Sequence, residues 1–238
     1  MHLEIKQALT SILNGLLNLI YPAKCIACAK VLIHGSSLHV CELCFPSFEF
    51  VDERVYGEEF DFDYARSFFE YSDILRRVIL DIKFGKKVHK MVSLADIAMT
   101  VAGDITYEYE EFDAVIPVPL HANRLKERGF NQAKLLAKTI ANSANLPMDD
   151  DICVRIVDTM PQSLMSSSNR QDNVADVFRV MDGAEVRGKS FVLVDDVFTS
   201  GETLNSLARA LKERGAEKIA CITVCIAYTR VAGLGRDM

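Results

Sequence analysis

The sequence predicts an α/β fold, a parallel sheet flanked by helices, with a cysteine-rich module in front of it. Two apolar runs, Phe112–Leu120 and Phe191–Val194, have the composition of buried parallel strands. Each run is followed by a loop and then by apolar residues at the period of a helix. Two Cys-x-x-Cys pairs precede both runs, and this spacing predicts a separate metal-binding unit.

Composition places the chain among ordinary globular proteins. Its 238 residues are 50% apolar and 25% charged, enough for one domain with an accessory piece. The net charge of −6 excludes a protein that coats nucleic acid through its global charge. A local basic patch that contacts phosphates is still compatible with it.

Residues 1–20 carry an apolar, helix-like run that ends before Pro22. The run is too short for a membrane span, and it lacks the basic start and the cleavage site of a signal peptide. We expect a helix that packs on the body or on a partner, with membrane association as the alternative. The predicted location is the cytoplasm, where thiols stay reduced.

Residues 21–50 are predicted to form a zinc finger. Two knuckles can deliver four thiolates to one tetrahedral ion, which makes the site closed and structural. His34 and His39 are possible substitutes for a cysteine. The same cysteines are also compatible with an Fe–S cluster, with disulfides or with unligated thiols. The predicted ligands are Cys25, Cys28, Cys41 and Cys44.

The next part of the chain predicts a connector, a strand and two helices. Residues 51–63 are acidic and aromatic and are expected to connect the finger to a short strand at Tyr64–Tyr71. The run Lys83–Lys90 between the two helices is either a solvated junction or a basic edge that faces phosphates. The helix faces are defined by Leu75, Val78, Ile79 and Ile82, and by Met91, Leu94, Ala95 and Ala98.

A basic loop is predicted directly after the strand Phe112–Leu120, and Asn131 is expected to cap the helix that follows. This loop and the segment after Val194 both follow parallel strands, so they belong on the rim where such sheets bind ligands. The basic loop would contact a pyrophosphate or a DNA backbone. Its candidate residues are Arg124, Lys126, Arg128 and Gly129, together with Lys83.

A third strand is expected at Asp151–Val157, and Lys218–Tyr228 is expected to form a further buried strand. The polar stretch after the third strand has the composition of an active-site lid, and a hairpin that only packs is the alternative. The candidate contacts of this lid are Gln162, Arg170 and Asn173.

The stretch Phe191–Thr203 predicts a site for a phosphate and a diol. A small-residue loop at a helix N-terminus offers backbone N–H groups to an anion, while Asp195 and Asp196 suit vicinal hydroxyls or a hydrated cation. A ribose 5-phosphate has both features, and the basic loop extends the expected ligand to 5-phosphoribosyl-1-diphosphate (PRPP). The predicted phosphate loop is Thr199, Ser200, Gly201, Glu202 and Thr203.

Several blocks together resemble the ComF family of the type I phosphoribosyltransferase superfamily. The blocks include the double Cys-x-x-Cys, Lys83-Phe84, the KERGFNQ run at 126–132 and the PRPP loop VLVDDVFTSGET. The resemblance implies a transferase core over residues 51–238, with Asp195 and Asp196 on ribose hydroxyls, the loop on the 5-phosphate, and Mg²⁺ bound with PRPP.

The resemblance also implies a role in natural transformation, the handling of imported single-stranded DNA at the inner membrane and its delivery to recombination. The implied partners are a helicase-like import ATPase and a recombination mediator. A competence adaptor is therefore the first hypothesis. The second is a working transferase in nucleotide metabolism or in the use of DNA as a nutrient, with Asp195, Asp196 and Arg128 as candidate catalytic residues.

Overall fold

A computed structural model describes residues 22–32, 39–57, 59–158 and 177–227. The predicted helix at 1–20 lies outside these residues, as do His34 and the three lid candidates Gln162, Arg170 and Asn173.

The strands and helices alternate along the chain in the manner of an α/β protein. The strands are β1 (Phe50–Val55), β2 (Tyr64–Glu70), β3 (Ala114–Pro117), β4 (Cys153–Arg155), β5 (Phe178–Val180), β6 (Phe191–Phe198) and β7 (Ile219–Ile226). The α-helices are α1 (Asp73–Lys83), α2 (Val88–Ala102), α3 (Thr106–Tyr109), α4 (Ala122–Arg128), α5 (Gln132–Ala144) and α6 (Glu202–Glu213).

The central sheet has five strands in the order β1-β2-β7-β6-β3. Neighbours from β2 to β3 are parallel, and β1 is antiparallel to β2. A separate antiparallel pair is formed by β4 and β5. The predicted parallel sheet with flanking helices is thus confirmed, with one antiparallel strand at its edge.

The prediction of a connector at 51–63 was wrong for its first part, which forms β1. Charged residues give this edge strand a polar composition, and they pair with the neighbouring strand rather than with solvent alone. The buried guanidinium of Arg66 in β2 donates from Nε to Asp52 at 2.5 Å and from Nη1 to Glu108 at 2.6 Å. Composition alone does not reveal such cross-strand pairing.

The two faces of β6 enter different cores. Val192 and Val194 pack in a cluster with residues of α1, α2 and α5, such as Leu75, Leu94 and Leu136. The intervening side chains of β6 pack with residues of α6 in a second cluster. Both faces of the sheet are therefore covered, as a parallel sheet requires.

The cysteine-rich module shares the first of these cores. Cys25 and Ile26 are each 1% exposed, and they join the cluster that contains α1 and α2, as do Val40 and Phe48. Among the residues that the structure describes, no helix is long and apolar enough to cross a bilayer.

Candidate functional site

Strand β6 continues through the two acids instead of ending before them. Asp195 is paired with Thr223 of β7, and the strand closes only at Phe198. Because successive side chains of a strand point to opposite faces, the two carboxylates leave β6 in opposite directions. Asp196 lies on the same face of β6 as Val192 and Val194, which pack against α1. Asp195 lies on the opposite face, which packs against α6.

Asp196 is ion-paired with Lys83, the last residue of α1. The distance from Nζ to Oδ2 is 2.7 Å, and the side chains are 25% and 6% exposed, respectively. Burial lowers the pKa of Lys83, but the Asp196 carboxylate outweighs that effect and holds the pKa above its ordinary value. Lys83 is therefore a cation directed at the acidic pair.

Asp195, the first acid of the pair, has a raised pKa. Burial and the nearby Asp196 charge raise its pKa to about 7, while Lys83, the Asp196 amide and Arg155 act in the opposite direction. The amide N–H of Asp196 donates to Asp195 Oδ1 at 2.8 Å. A carboxyl group with such a pKa exchanges a proton near neutral pH.

The predicted basic loop is in fact a short helix, α4. His121 caps it, because Nδ1 accepts the amide N–H of Asn123 at 3.3 Å. Gly129 ends it with φ 84°. The helix was missed because its seven residues are mostly charged and none is buried, so they show no apolar face.

Arg128 at the end of α4 is within range of the charges of both acids. Its Nη1 donates to Gln132 Oε1 at 2.6 Å. Burial lowers the pKa of its guanidinium, and Asp196 and Asp195 counteract that effect. A second cation therefore acts electrostatically on the acidic pair, and it comes from the end of a different helix than Lys83.

Arg124 and Lys126 do not reach the acidic pair. Arg124 Nε lies 3.5 Å from Asp158 Oδ1, and Asn123 Nδ2 donates to Asp158 Oδ2 at 3.0 Å. Lys126 is exposed. Lys126 is solvated and Arg124 is half-buried, so they can contact a phosphate only beyond the acidic pair itself.

The phosphate loop meets the N-terminus of α6 at Gly201, which has φ 78° and makes no side-chain cap. A Cβ on this glycine would lie 3.0 Å from the Phe198 ring and 3.1 Å from the Phe60 ring. Glycine is required both by the backbone angle and by the rings. Thr199 and Ser200 are exposed beside it, so their hydroxyls can contact an anion at the helix N-terminus.

The remaining loop residues continue into α6. Glu202 is the first residue of the helix and is exposed, and Thr203 is half-buried. The loop rests on aromatic rings: Phe60 stacks on Phe62 with centroids 4.6 Å apart, and Phe198 meets Phe60 edge-on at 6.4 Å. No local pattern indicates this support, because Phe60 precedes the loop by a long stretch of chain.

Two further residues near the acids were not anticipated. Arg155 of β4 acts on Asp195, and burial lowers the pKa of its guanidinium against the effect of that carboxylate. Tyr71 follows β2, and burial raises the pKa of its hydroxyl beside Lys83 and Asp196. A basic residue inside a predicted apolar strand was the available signal for Arg155. Tyr71 carried no comparable signal.

Most of the basic run Lys83–Lys90 does not face the acidic pair. Lys87 and Lys90 both contact Asp81, with Nζ–Oδ2 distances of 3.0 and 2.7 Å. These two ammonium groups are therefore ion-paired within the junction between α1 and α2. Of the lysines in this run, Lys83 is the one whose contact with the acidic pair is established.

The four cysteines predicted as metal ligands lie together, with all Sγ atoms within 4.8 Å of one another. In the described residues, no other group of three or more histidine, cysteine or acidic side chains has this geometry. Amide N–H groups of Cys28, Cys41 and Ala27 outweigh the effect of burial and lower the pKa of Cys25 to about 6.

The cluster fits a tetrahedral ion. Four sulfurs bound at about 2.3 Å to one zinc lie roughly 3.8 Å apart. The Sγ atoms of Cys28 and Cys41 are 3.7 Å apart. His39 is outside the group, and its carbonyl oxygen accepts the Ile26 amide N–H at 2.9 Å. The remaining described cysteines, Cys153, Cys221 and Cys225, are buried in the body.

Curated proteins similar to this chain include Competence protein F of Haemophilus influenzae, 34% identical over 48% of this chain and 50% of that protein. DNA utilization protein YhgH of Shigella flexneri is 28% identical over 66% and 69%. Competence protein ComFC of Bacillus subtilis is 29% identical over 63% and 58%. The aligned segment thus spans about half of the Haemophilus protein.

Solved phosphoribosyltransferases also align with the chain. A purine phosphoribosyltransferase from Pyrococcus horikoshii is 16% identical with a TM-score of 0.35, over 56% of this chain and 82% of that one. A hypoxanthine phosphoribosyltransferase from Staphylococcus aureus is 13% identical with a TM-score of 0.36, over 56% and 62%.

Residues 127–236 match the family described as "Phosphoribosyl transferase domain". The matched segment contains β6, the phosphate loop, α6 and β7, so the acidic pair and its loop lie within the part of the chain that is similar to this family. Together with the curated relatives, this match makes the chain similar to proteins named for competence and DNA utilization and to phosphoribosyltransferases.

Proposed function

We propose that the chain binds Mg²⁺–PRPP at the end of β6 and acts in the handling of imported single-stranded DNA. The observation that carries the proposal is the acidic pair, on which the cations Lys83 and Arg128 act, beside an uncapped helix N-terminus. The loop from Thr199 to Thr203 would hold the 5-phosphate, and Lys83 and Arg128 the pyrophosphate.

In this proposal the carboxylates would accept hydrogen bonds from the ribose hydroxyls. Asp195 and Asp196 leave opposite faces of β6, so both can contact one ribose only at the rim of the sheet, where the strand ends. Mg²⁺ would neutralise part of the pyrophosphate charge when bound.

The link to DNA rests on the relatives, whose names refer to competence and to DNA utilization. The part of α4 that carries Arg124 and Lys126 would contact the DNA backbone. An acidic protein can bind single-stranded DNA through such a local patch, and the binding would then be weak and dependent on salt. The import ATPase and the recombination mediator expected for the family are the proposed partners.

Calorimetric titration with PRPP in the presence of Mg²⁺ tests the ligand. We expect the wild type to bind, and the double variant Asp195→Ala, Asp196→Ala to lose binding while it stays folded. Asp182→Ala removes a fully exposed carboxylate elsewhere and serves as the control. A wild type that binds no PRPP would overturn the proposal.

The same double variant tests the DNA role. It is compared with the wild type for transformation frequency in a competent strain that lacks its own ComF protein. If transformation is unchanged although PRPP binding is lost, the ligand site is not what competence uses.

We also propose that the four cysteines bind a structural zinc ion. Metal analysis of the purified protein is expected to give one zinc per chain. Cys41→Ser should lose it, and Cys153→Ser, which changes a cysteine outside the cluster, should keep it. A wild type without zinc would contradict the assignment.

A working transferase is the second candidate, and the pKa of Asp195 favours it. A group with a pKa of about 7 is suited to accept a proton from a nucleophile at neutral pH. That nucleophile would form a bond to C1 of the ribose while the bond to pyrophosphate breaks. Pyrophosphate release in the presence of candidate nucleobases, compared between the wild type and Asp195→Asn, distinguishes this candidate from a binding protein.

A further inference from the structure

The last turn of α1 contacts the acidic pair directly and is connected to the cysteine cluster through Lys90 of α2. Lys83 ends the helix and reaches Asp196 of the acidic pair. Two residues earlier, Asp81 accepts Lys90 of α2 at 2.7 Å. Lys90 Nζ also donates to the carbonyl oxygen of Ile26, the residue after the first cysteine of the cluster. A continuous series of contacts therefore joins the cysteine cluster to the acidic pair.

The first link in this series is buried. Lys90 is 7% exposed and Ile26 is 1% exposed. A buried ammonium group is costly once it loses an acceptor, so Lys90 depends on the position of the Ile26 carbonyl. The position of that carbonyl is in turn fixed by the backbone around the cysteine cluster, which we call the knuckle. The Ile26 amide N–H donates to the His39 carbonyl oxygen, and the Cys41 amide N–H donates to Cys25 Sγ.

The second link is a tightly closed turn. The Asp81 carbonyl oxygen accepts the Lys87 amide N–H at 3.3 Å, and its carboxylate accepts Lys87 Nζ at 3.0 Å. A Cβ at Gly85 would lie 2.7 Å from the same carbonyl oxygen. Asp81 and Lys83 lie in the same helical turn, so a shift of Asp81 moves the backbone that carries Lys83.

We propose that Lys90 and Asp81 are positioning residues that couple the metal state of the cysteine cluster to ligand affinity at the acidic pair. With metal bound, the knuckle holds Ile26, Lys90 and Asp81 in place, and Lys83 is fixed against Asp196. Without it, Lys90 loses an acceptor, and Lys83 is held less firmly. The proposal rests on the zinc and PRPP sites proposed above.

Such coupling is reciprocal. Bound PRPP must therefore raise the affinity for the metal by the same factor by which bound metal raises the affinity for PRPP. We expect a factor of about 5 to 30, within the range usual for coupled sites. The coupling does not require Lys90 to touch either ligand.

The test uses the full-length, zinc-loaded protein and compares the wild type with Lys90→Met and Lys87→Met. Lys87 is the matched control, because it contacts the same Asp81 oxygen but not the knuckle. PRPP affinity is measured by calorimetry with Mg²⁺, and zinc transfer to a colorimetric chelator is measured with and without PRPP.

We expect Lys90→Met to weaken PRPP binding about 5- to 30-fold and Lys87→Met to stay within about twofold. PRPP should slow zinc transfer from the wild type and from Lys87→Met, but not from Lys90→Met. Lys90→Gln, a polar variant, replaces Lys90→Met if the latter does not fold. Equal PRPP affinity in Lys90→Met and the wild type would overturn the coupling, while the PRPP site itself would stand.

A readout without PRPP separates the coupling from the proposed ligand. Hydrogen exchange is followed in peptides that cover 78–87 and 191–198, before and after zinc is removed from the wild type. Faster exchange in both peptides supports the coupling even if PRPP is not the ligand. Unchanged exchange in both while the knuckle itself loosens contradicts it.

Discussion

Asp195 makes stability depend on pH in an unusual direction. Its pKa of about 7 in the folded protein lies above the ordinary value of 3.8. The protonated form is therefore favoured by folding, and the contribution of this group is fully present below about pH 4 and is lost as the pH rises through 7.

Asp195→Asn is accordingly expected to stabilise the protein at pH 8 and to stabilise it by a smaller amount at pH 5. The expected gain at pH 8 is about 1–3 kcal/mol, because each pKa unit corresponds to about 1.4 kcal/mol. Urea denaturation at both pH values measures it, with Asp182→Asn as the control for loss of an exposed charge. A gain of equal size at both pH values would contradict the raised pKa.

Gly201→Ala tests whether the phosphate loop requires the close approach of its backbone to the aromatic rings. The substitution adds a Cβ at a positive φ and places it 3.0 Å from the Phe198 ring. We expect a loss of about 2–3 kcal/mol in the free energy of unfolding, together with weaker PRPP binding. Gly183→Ala is the matched control, since Gly183 has φ 84° with no atom within 4 Å of its Cβ position.

The control variant should lose about 1 kcal/mol, the cost of the backbone angle alone. If both glycine variants lose the same free energy and Gly201→Ala still binds PRPP, the close approach of the rings has no part in forming the loop.

Among the helices, α4 carries the clearest prediction. Lys126→Ala is expected to weaken binding of single-stranded DNA and to lower the slope of log K against log salt by about 0.7, the value for one phosphate contact to a single strand. Fluorescence anisotropy of a labelled oligonucleotide at several salt concentrations measures both. Lys134→Ala on α5 is the control, because its ammonium already pairs with Asp150. An unchanged salt slope in Lys126→Ala would exclude a phosphate contact by that residue.

Elements with a strong apolar pattern could be predicted from the sequence. The strand at Phe191, the helices at Leu75 and Met91, and the cap at Asn131 follow from the periodicity of buried residues and from capping chemistry. The structure has all four, and Asn131 Oδ1 accepts the Ala133 amide N–H at 3.0 Å.

Features that depend on tertiary contacts could not be predicted. The extension of β6 through Asp195 and Asp196 requires the pairing with β7, which no local pattern encodes. The contact between Lys83 and Asp196 joins residues far apart in the chain. Proximity of the four cysteines, by contrast, was predictable, because their spacing alone limits how they can meet.

For the molecule as a whole, the shared core predicts cooperative unfolding. Cys25, Ile26, Val40 and Phe48 pack in the cluster that also contains α1 and α2, so the knuckle has no separate core in the described residues. We expect one transition on heating, in which zinc release and loss of helical circular dichroism coincide. Release of zinc in an earlier step, with the helical signal intact, would show that the two parts unfold independently.

The opposite directions of Asp195 and Asp196 have a consequence for how this protein can change over evolution. Their contacts differ: Lys83 of α1 pairs with Asp196 and also lowers the pKa of Asp195, whereas Arg155 of β4 acts on Asp195. Substitutions in β4 can therefore tune proton affinity at one acid while the other keeps its ion pair. Binding and chemistry could diverge among homologues by changes on separate sides of a single strand.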